Sequence, residues 1–185
     1  MSWYCDVARD NPVHTGFHDT EHGYPITDEA ALFERLALEV MQAGLSWDIV
    51  LKKRASMNAA FHDFHVDTVA AYGDADVARL LADPGIVRNR LKVAALIHNA
   101  QVIQAMRASH GGFHGWLSAN HPRRKPDWVK LFKKTFKFTG GEIVNEFLMG
   151  TGFLPGAHGP DCPAFAVVAA RNPPWMAAGG DFYAD

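Results

Sequence analysis

Leu80-Leu81-Ala82-Asp83-Pro84-Gly85-Ile86-Val87-Arg88-Asn89-Arg90 ends one helix, turns at Pro84-Gly85, and starts another with basic residues at Arg88, Arg90 and Lys92. Two helices joined by so short a hairpin offer backbone N–H groups and the positive N-terminal end of the second helix to a phosphate. Gly85 would let the backbone come close, and Arg88, Arg90 and Lys92 would add charge-assisted contacts to neighbouring phosphates. Such contacts position DNA without reading its sequence. An ordinary helix–helix turn with solvated arginines has the same pattern.

Helical signals run outward from this turn. Upstream, Thr27-Asp28-Glu29 opens an N-cap-like start, and Leu32, Phe33, Leu36, Leu38, Val40 and Met41 keep apolar helical spacing up to Gly44. Ser46 is the candidate N-cap of a second helix, with Trp47, Ile49, Val50, Leu51, Met57 and Phe61 on its buried side and Lys52-Lys53-Arg54 facing outward. Short helices are expected at about 66–72 and 75–82, and a long one at about 90–109 carrying Val93, Ala94, Leu96, Ile97, Ala100, Val102 and Ile103. Further helices are expected at about 113–119, 127–135 and 141–149. Beyond Gly150 the wealth of Gly, Pro and Ala predicts irregular structure, with a loose tail at about 163–185. No strand-like run is long enough to build a sheet. The fold class is all-α, one domain over 1–185 with the hairpin element at about 75–92.

A hydrophobic content of 48% supports a packed interior, and no apolar run approaches the roughly 18 residues of a membrane span. Met1-Ser2-Trp3-Tyr4 lacks a basic region followed by an apolar one, so the chain reads as cytoplasmic. The net charge of −2 hides an asymmetry: eleven Lys and Arg stand against Asp127 alone between Pro84 and Phe138, about +10, which leaves −12 for the remainder. That segment reads as a polyanion-binding face, with a helical surface neutralised by acids elsewhere as the alternative.

Two clusters carry chemistry. Glu39 lies among Leu36, Leu38, Val40 and Met41, where a carboxylate is costly unless paired and so invites a functional role. A salt bridge to Arg35, one turn earlier, is the plainer reading. Gly44 breaks this helix, Leu45 is left at an exposed turn, and Trp47 starts the next helix close by, so an acid, an aromatic plate and an apolar wedge form a base-sized pocket. The second cluster joins the chain ends. Cys5 and Cys162 are the only cysteines, and with His18 and His158 they make a Cys2His2 set that tetrahedral Zn²⁺ accepts. A Cys5–Cys162 disulfide or two unrelated thiols also fit, although a disulfide wants an oxidising compartment.

Taken together, the chain resembles the bacterial 3-methyladenine DNA glycosylase I family. The resemblance is carried by Gln42-Ala43-Gly44-Leu45-Ser46-Trp47 with Val50-Leu51-Lys52-Lys53-Arg54, by Gly85-Ile86-Val87-Arg88-Asn89-Arg90-Leu91-Lys92, by Phe136-Lys137-Phe138-Thr139-Gly140, and by the four Cys and His residues. It implies a two-lobed helix-hairpin-helix fold with a structural zinc snap joining the termini. It also implies a monomeric bacterial enzyme that flips an alkylated adenine out of double-stranded DNA and hydrolyses its N-glycosidic bond in base excision repair. Glu39 would then be catalytic, favouring the cationic base. Trp47 and Phe17 would stack on it, while Gln42 and Leu45 fill the vacated stack. No lysine lies in the hairpin turn, which argues against Schiff-base lyase chemistry, and the water-activating aspartate of most helix-hairpin-helix glycosylases has no counterpart. A non-catalytic binder of damaged or distorted DNA is the alternative.

The chain departs from the family where specificity should reside. Phe17 replaces a usual tyrosine, Val7 and His22 replace tryptophans, His14 replaces a tyrosine, and Gly141-Glu142 replaces Thr-Thr. Trp3, Tyr4 or Trp128 are candidates to refill the pocket. Glu142 is a candidate second carboxylate there, or an exposed glutamate at a helix start.

Overall fold

A computed structural model of the chain describes residues 3–183, without the side chain of Trp3. Among these residues all regular structure is helical. The order is α1 (Trp3–Ala8), α2 (Thr15–Thr20), α3 (Glu29–Gln42), α4 (Trp47–Ala60), α5 (Val66–Ala70), α6 (Asp74–Ala82), α7 (Arg90–His110) and α8 (Phe113–Asn120). Then come α9 (Lys125–Thr135), α10 (Gly141–Gly150), α11 (Pro163–Ala169), α12 (Pro174–Ala177) and α13 (Gly180–Tyr183).

Helix α3 is the hub. Asp28 starts it by accepting a hydrogen bond from the Ala31 amide at 2.8 Å. Leu32, Phe33, Leu36, Ala37, Leu38, Val40 and Met41 are fully buried, and a helix apolar on nearly every side must be covered all round. Helices α4, α5, α7, α8 and α10 pack against it. A second layer of rings, with Phe113 stacked on Phe147 and Trp116, Trp128, Phe132 and Phe136 beneath, continues the same core.

The stretch from Leu80 to Arg90 forms the expected hairpin between α6 and α7. Its Asp83 side chain accepts from the Gly85 amide at 2.7 Å, and Lys53 donates to the Pro84 carbonyl at 2.8 Å. Buried Ile86 anchors the turn. Asn89 caps α7 by accepting from the Leu91 and Lys92 amides, and Gly111 ends it in the left-handed conformation at φ 73°.

Three expectations give way. Lys92 is not an outward phosphate contact: it is buried, and its ammonium donates to the Met41 and Ala43 carbonyls at 2.8 and 2.6 Å. Those carbonyls lie at the open C-terminal end of α3, where a cation satisfies both orphan acceptors and the helix dipole. Arg54 turns inward to chelate Glu21 at 2.7 and 2.8 Å and Glu34 at 2.8 and 3.1 Å, while Ile49 is exposed instead. Residues 163–183 hold three short helices rather than the irregular tail expected, because they dock on the rest: the Trp175 amide donates to Gly152 O, and Tyr183 hydroxyl meets His121 Nε2 at 2.9 Å.

Lys92→Met keeps the stem but removes both bonds to the end of α3. It is expected to lower unfolding free energy by roughly 1.5–3 kcal/mol in urea titrations. An unchanged midpoint would contradict the capping role.

Candidate active site

The turn Gly44-Leu45-Ser46 reverses the chain between α3 and α4, with Gly44 at φ 80° and Ser46 capping α4 through the Ile49 amide. Glu39 near the end of α3 and Trp47 at the start of α4 are thereby brought to one place. With Tyr4, Phe17, Gln42 and Glu146 they line a cavity of about 530 Å³. Phe17 stands edge-on to Trp47, ring centroids 5.2 Å apart at 66°, and the Arg35 guanidinium covers Phe17 at 4.1 Å from its centroid.

Glu39 forms no ion pair among the described residues, so the sequence-level salt bridge to Arg35 is not made. Arg35 instead faces Glu21 at 3.5 Å and donates to the Glu21 and Gly150 carbonyls. Burial first, and the nearby charge of Glu146 second, push the Glu39 carboxyl up to about 8 against the opposing Arg35. Burial also lowers Arg35 to about 10, raises Tyr4, and holds His22 well below its ordinary value as a neutral imidazole.

The substituted positions sort clearly. Phe17 and His22 line the cavity, and Tyr4 fills part of it, its hydroxyl 3.2 Å from His14 Nδ1. Val7 is half-buried and His14 buried, and neither lines it. Trp128 lies fully buried among Trp116, Phe132 and Phe153, away from the cavity, and the side chain of Trp3 falls outside the described residues. Glu142 answers to both readings: it lines the cavity, yet its side chain is 85% exposed and pairs with Lys125 at 3.5 Å. Sequence reasoning missed Glu146 and Met149. With Glu142 they form a stripe at helical spacing on one face of α10, and nothing local says that this face meets Glu39.

Cys5, His18, His158 and Cys162 converge behind the pocket, all buried, with donor atoms within 4.8 Å of one another. His158 Nδ1 lies 3.2 Å from His18 Nε2, 3.9 Å from Cys5 Sγ and 3.7 Å from Cys162 Sγ, and Cys162 Sγ is 3.7 Å from His18 Nε2. A tetrahedral centre with bonds of 2.0–2.3 Å has edges of roughly 3.3–3.8 Å, so this donor set fits one metal ion. Both outer ring nitrogens are oriented as metal-binding histidines usually are: His18 Nδ1 on Asp19 at 2.7 Å and His158 Nε2 on the His22 carbonyl at 2.7 Å. Cys5 and Cys162 form no disulfide, so the disulfide reading is not met. Gly23 (φ 84°) passes so close that a Cβ would stand 2.8 Å from Ala157 Cβ.

On the hairpin, Arg88 and Arg90 are exposed and form no ion pair among the described residues. The Val87 and Arg88 amides make no hydrogen bond there either. The Gly85 amide is already taken by Asp83, and a Cβ on Gly85 would stand 3.0 Å from Ser56 Cβ, so internal packing itself favours the glycine. Leu45 at the wedge position is 38% exposed, and Gln42 donates to its carbonyl at 3.4 Å.

Residues 7–130 match the model of a family described as methyladenine glycosylase. The chain is 36% identical to DNA-3-methyladenine glycosylase 1 of Escherichia coli K12, covering 81% of this chain and 90% of that one. It is 31% identical to DNA-3-methyladenine glycosylase of Haemophilus influenzae, covering 88% and 98%. The solved 3-methyladenine DNA glycosylase I from Staphylococcus aureus superposes with a TM-score of 0.78 at 33% identity, over 87% of this chain and 95% of that one.

The buried carboxyl makes a prediction about pH. Glu39 keeps its proton up to about pH 8 when folded but loses it near 4.5 when unfolded, so its contribution to stability is greatest below 4.5 and declines as pH rises to 8. The full decline is on the order of 5 kcal/mol. Glu39→Gln should abolish it: urea unfolding should show the variant gaining on the parent protein steadily between those pH values. Parallel stability curves would mean that Glu39 is ionised in the native state.

Proposed function

This chain belongs to the methyladenine glycosylase family, and on that footing we propose how its pocket works as a DNA glycosylase that hydrolyses the N-glycosidic bond of alkylated purines. The observation that carries the reading is an unpaired, buried carboxyl, Glu39, facing a cavity beside Trp47. Alkylation at a ring nitrogen makes the base cationic and already a good leaving group. A cationic base supplies the countercharge that Glu39 lacks, so the carboxyl gives up its proton and accepts hydrogen bonds from the base edge. Trp47 adds stacking and cation–π attraction worth about 1–2 kcal/mol in a desolvated pocket, and Phe17 completes the aromatic wall. The bond from the sugar carbon to the base nitrogen then breaks, its electron pair neutralising the base. Water adds its oxygen to the sugar carbon and loses a proton to solvent.

Extrusion of the base costs a few kcal/mol of unstacking, which Leu45 and Gln42 offset by entering the gap. The free amides of Val87 and Arg88, with the Arg88 and Arg90 side chains, hold the duplex by its phosphates, and Gly85 keeps the turn tight enough to present them. Cys5, His18, His158 and Cys162 hold a Zn²⁺ ion whose role is structural, since four protein donors complete its coordination. It clips the α1–α2 arm, which carries Tyr4, Phe17 and His22, against the chain end.

Incubation with methylated duplex DNA followed by alkali should cut the strand at abasic sites. Glu39→Gln should slow this by roughly 10–100-fold, the worth of a hydrogen bond to a charged group, and Trp47→Ala should slow it more. Intact strands after incubation with protein that still binds the DNA would leave only a damage-binding role. Elemental analysis of chelator-free protein should find one zinc per chain, and Cys5→Ser should lose both the metal and thermal stability. Full stability in metal-free protein would remove zinc from the account.

A further inference from the structure

We propose that Glu146 is a specificity-determining residue that extends the pocket to cationic alkylated guanines, an inference that rests on the glycosylase reading above. Glu146 and Glu39 approach the same cavity from different helices, α10 and α3, and among the described residues no Lys or Arg lines it. Glu142 and Met149 share the cavity-facing stripe of α10, and Asn145 Nδ2 donates to Glu146 Oε1 at 3.2 Å, steadying the carboxylate. Glu39 is more than nine-tenths buried and has no hydrogen-bond or ion-pair partner among the described residues, so the space between the two acids suits a ligand that brings positive charge and donors.

One carboxylate is enough for an adenine, whose Watson–Crick edge sets a single amino donor beside an acceptor nitrogen. A second acid facing that acceptor would repel it. Guanine instead offers two adjacent donors, N1–H and N2–H, which match the two oxygens of one carboxylate. With Glu146 taking this pair and Glu39 balancing the charge of the alkylated ring, both acids are satisfied at once. The cavity, at about 530 Å³, has room for a bicyclic base with an exocyclic group on either side. Burial raises both carboxyls in the empty pocket, with Glu146 adding to the effect on Glu39 and Glu142 to that on Glu146, and a cationic ligand relieves both.

The test uses duplex DNA carrying radiolabelled methyl groups and separates the released bases by chromatography. The unaltered protein should release 7-methylguanine and 3-methylguanine beside 3-methyladenine. Glu146→Gln and Glu146→Ala should each lower release of the methylguanines by about tenfold or more, the value of one buried hydrogen-bonded donor pair, and that of 3-methyladenine by less than about threefold. Quenching of tryptophan fluorescence by free 7-methylguanine should weaken in parallel, in protein whose thermal midpoint is preserved. Equal loss for all three bases would make Glu146 a general structural element and overturn the proposal, as would release of 3-methyladenine without any methylguanine. Release of no base at all would overturn the glycosylase reading itself.

Discussion

A carboxyl group held out of water without a partner is the constraint around which this protein is arranged. Burying Glu39 favours its protonated form in the empty pocket, first because burial penalises the charge and then because Glu146 repels it, while the nearby guanidiniums are committed elsewhere. Arg35, one turn away, is drawn to Glu21 and to two backbone carbonyls, and its flat face lies on Phe17. Arg54 bridges Glu21 and Glu34. Had either guanidinium reached Glu39, the carboxylate would be neutralised internally and the cavity would hold no electrostatic vacancy for a base. The folded state bears an unfavourable term that binding relieves, which is a common arrangement at functional sites.

The other requirement is that distant parts of the chain meet. The pocket wall comes from the α1–α2 arm at one end of the sequence and from α10 with the following loop at the other. Where they join, Gly23 leaves no room for a side chain, its amide bonds to the Gly150 carbonyl, and the His22 carbonyl receives His158. The Cys2His2 cluster lies directly behind this seam. His22 is therefore shared: its ring forms part of the wall and its carbonyl steadies a candidate metal ligand. Closing a loop of this length limits the freedom of the unfolded chain as well as fixing the native geometry.

Much of this was readable from residues alone, and the failures have physical causes. Caps at Asp28 and Ser46, the glycine break at Gly44, and apolar spacing in α3 placed the helices, since these signals act within one turn of chain. Convergence of Cys5 and His18 with His158 and Cys162 was legible because metal-ligand chemistry narrows the choice of partners. Lys92 and Arg54 were misjudged because their partners, the end of α3 and the acids Glu21 and Glu34, are distant in sequence. Glu146 escaped notice for the same reason, as its meaning depends on which helix its face opposes. The helical tail was missed because its Gly and Pro content conceals short helices that are stabilised by docking on Gly152, Phe153 and His121.

Lys92 ties two surfaces that the sequence treats separately. It sits in the first turn of α7, immediately after the hairpin, and its ammonium grips the last carbonyls of α3, immediately before Leu45. The hairpin and the turn that carries Leu45 thus share this anchor, a few bonds long, beside the bond from Lys53 to the Pro84 carbonyl. Such an anchor works as a ruler. On the proposed reading, a duplex seated on the hairpin would meet Leu45 at a set spacing along its axis, so one nucleotide position would be inspected per seating.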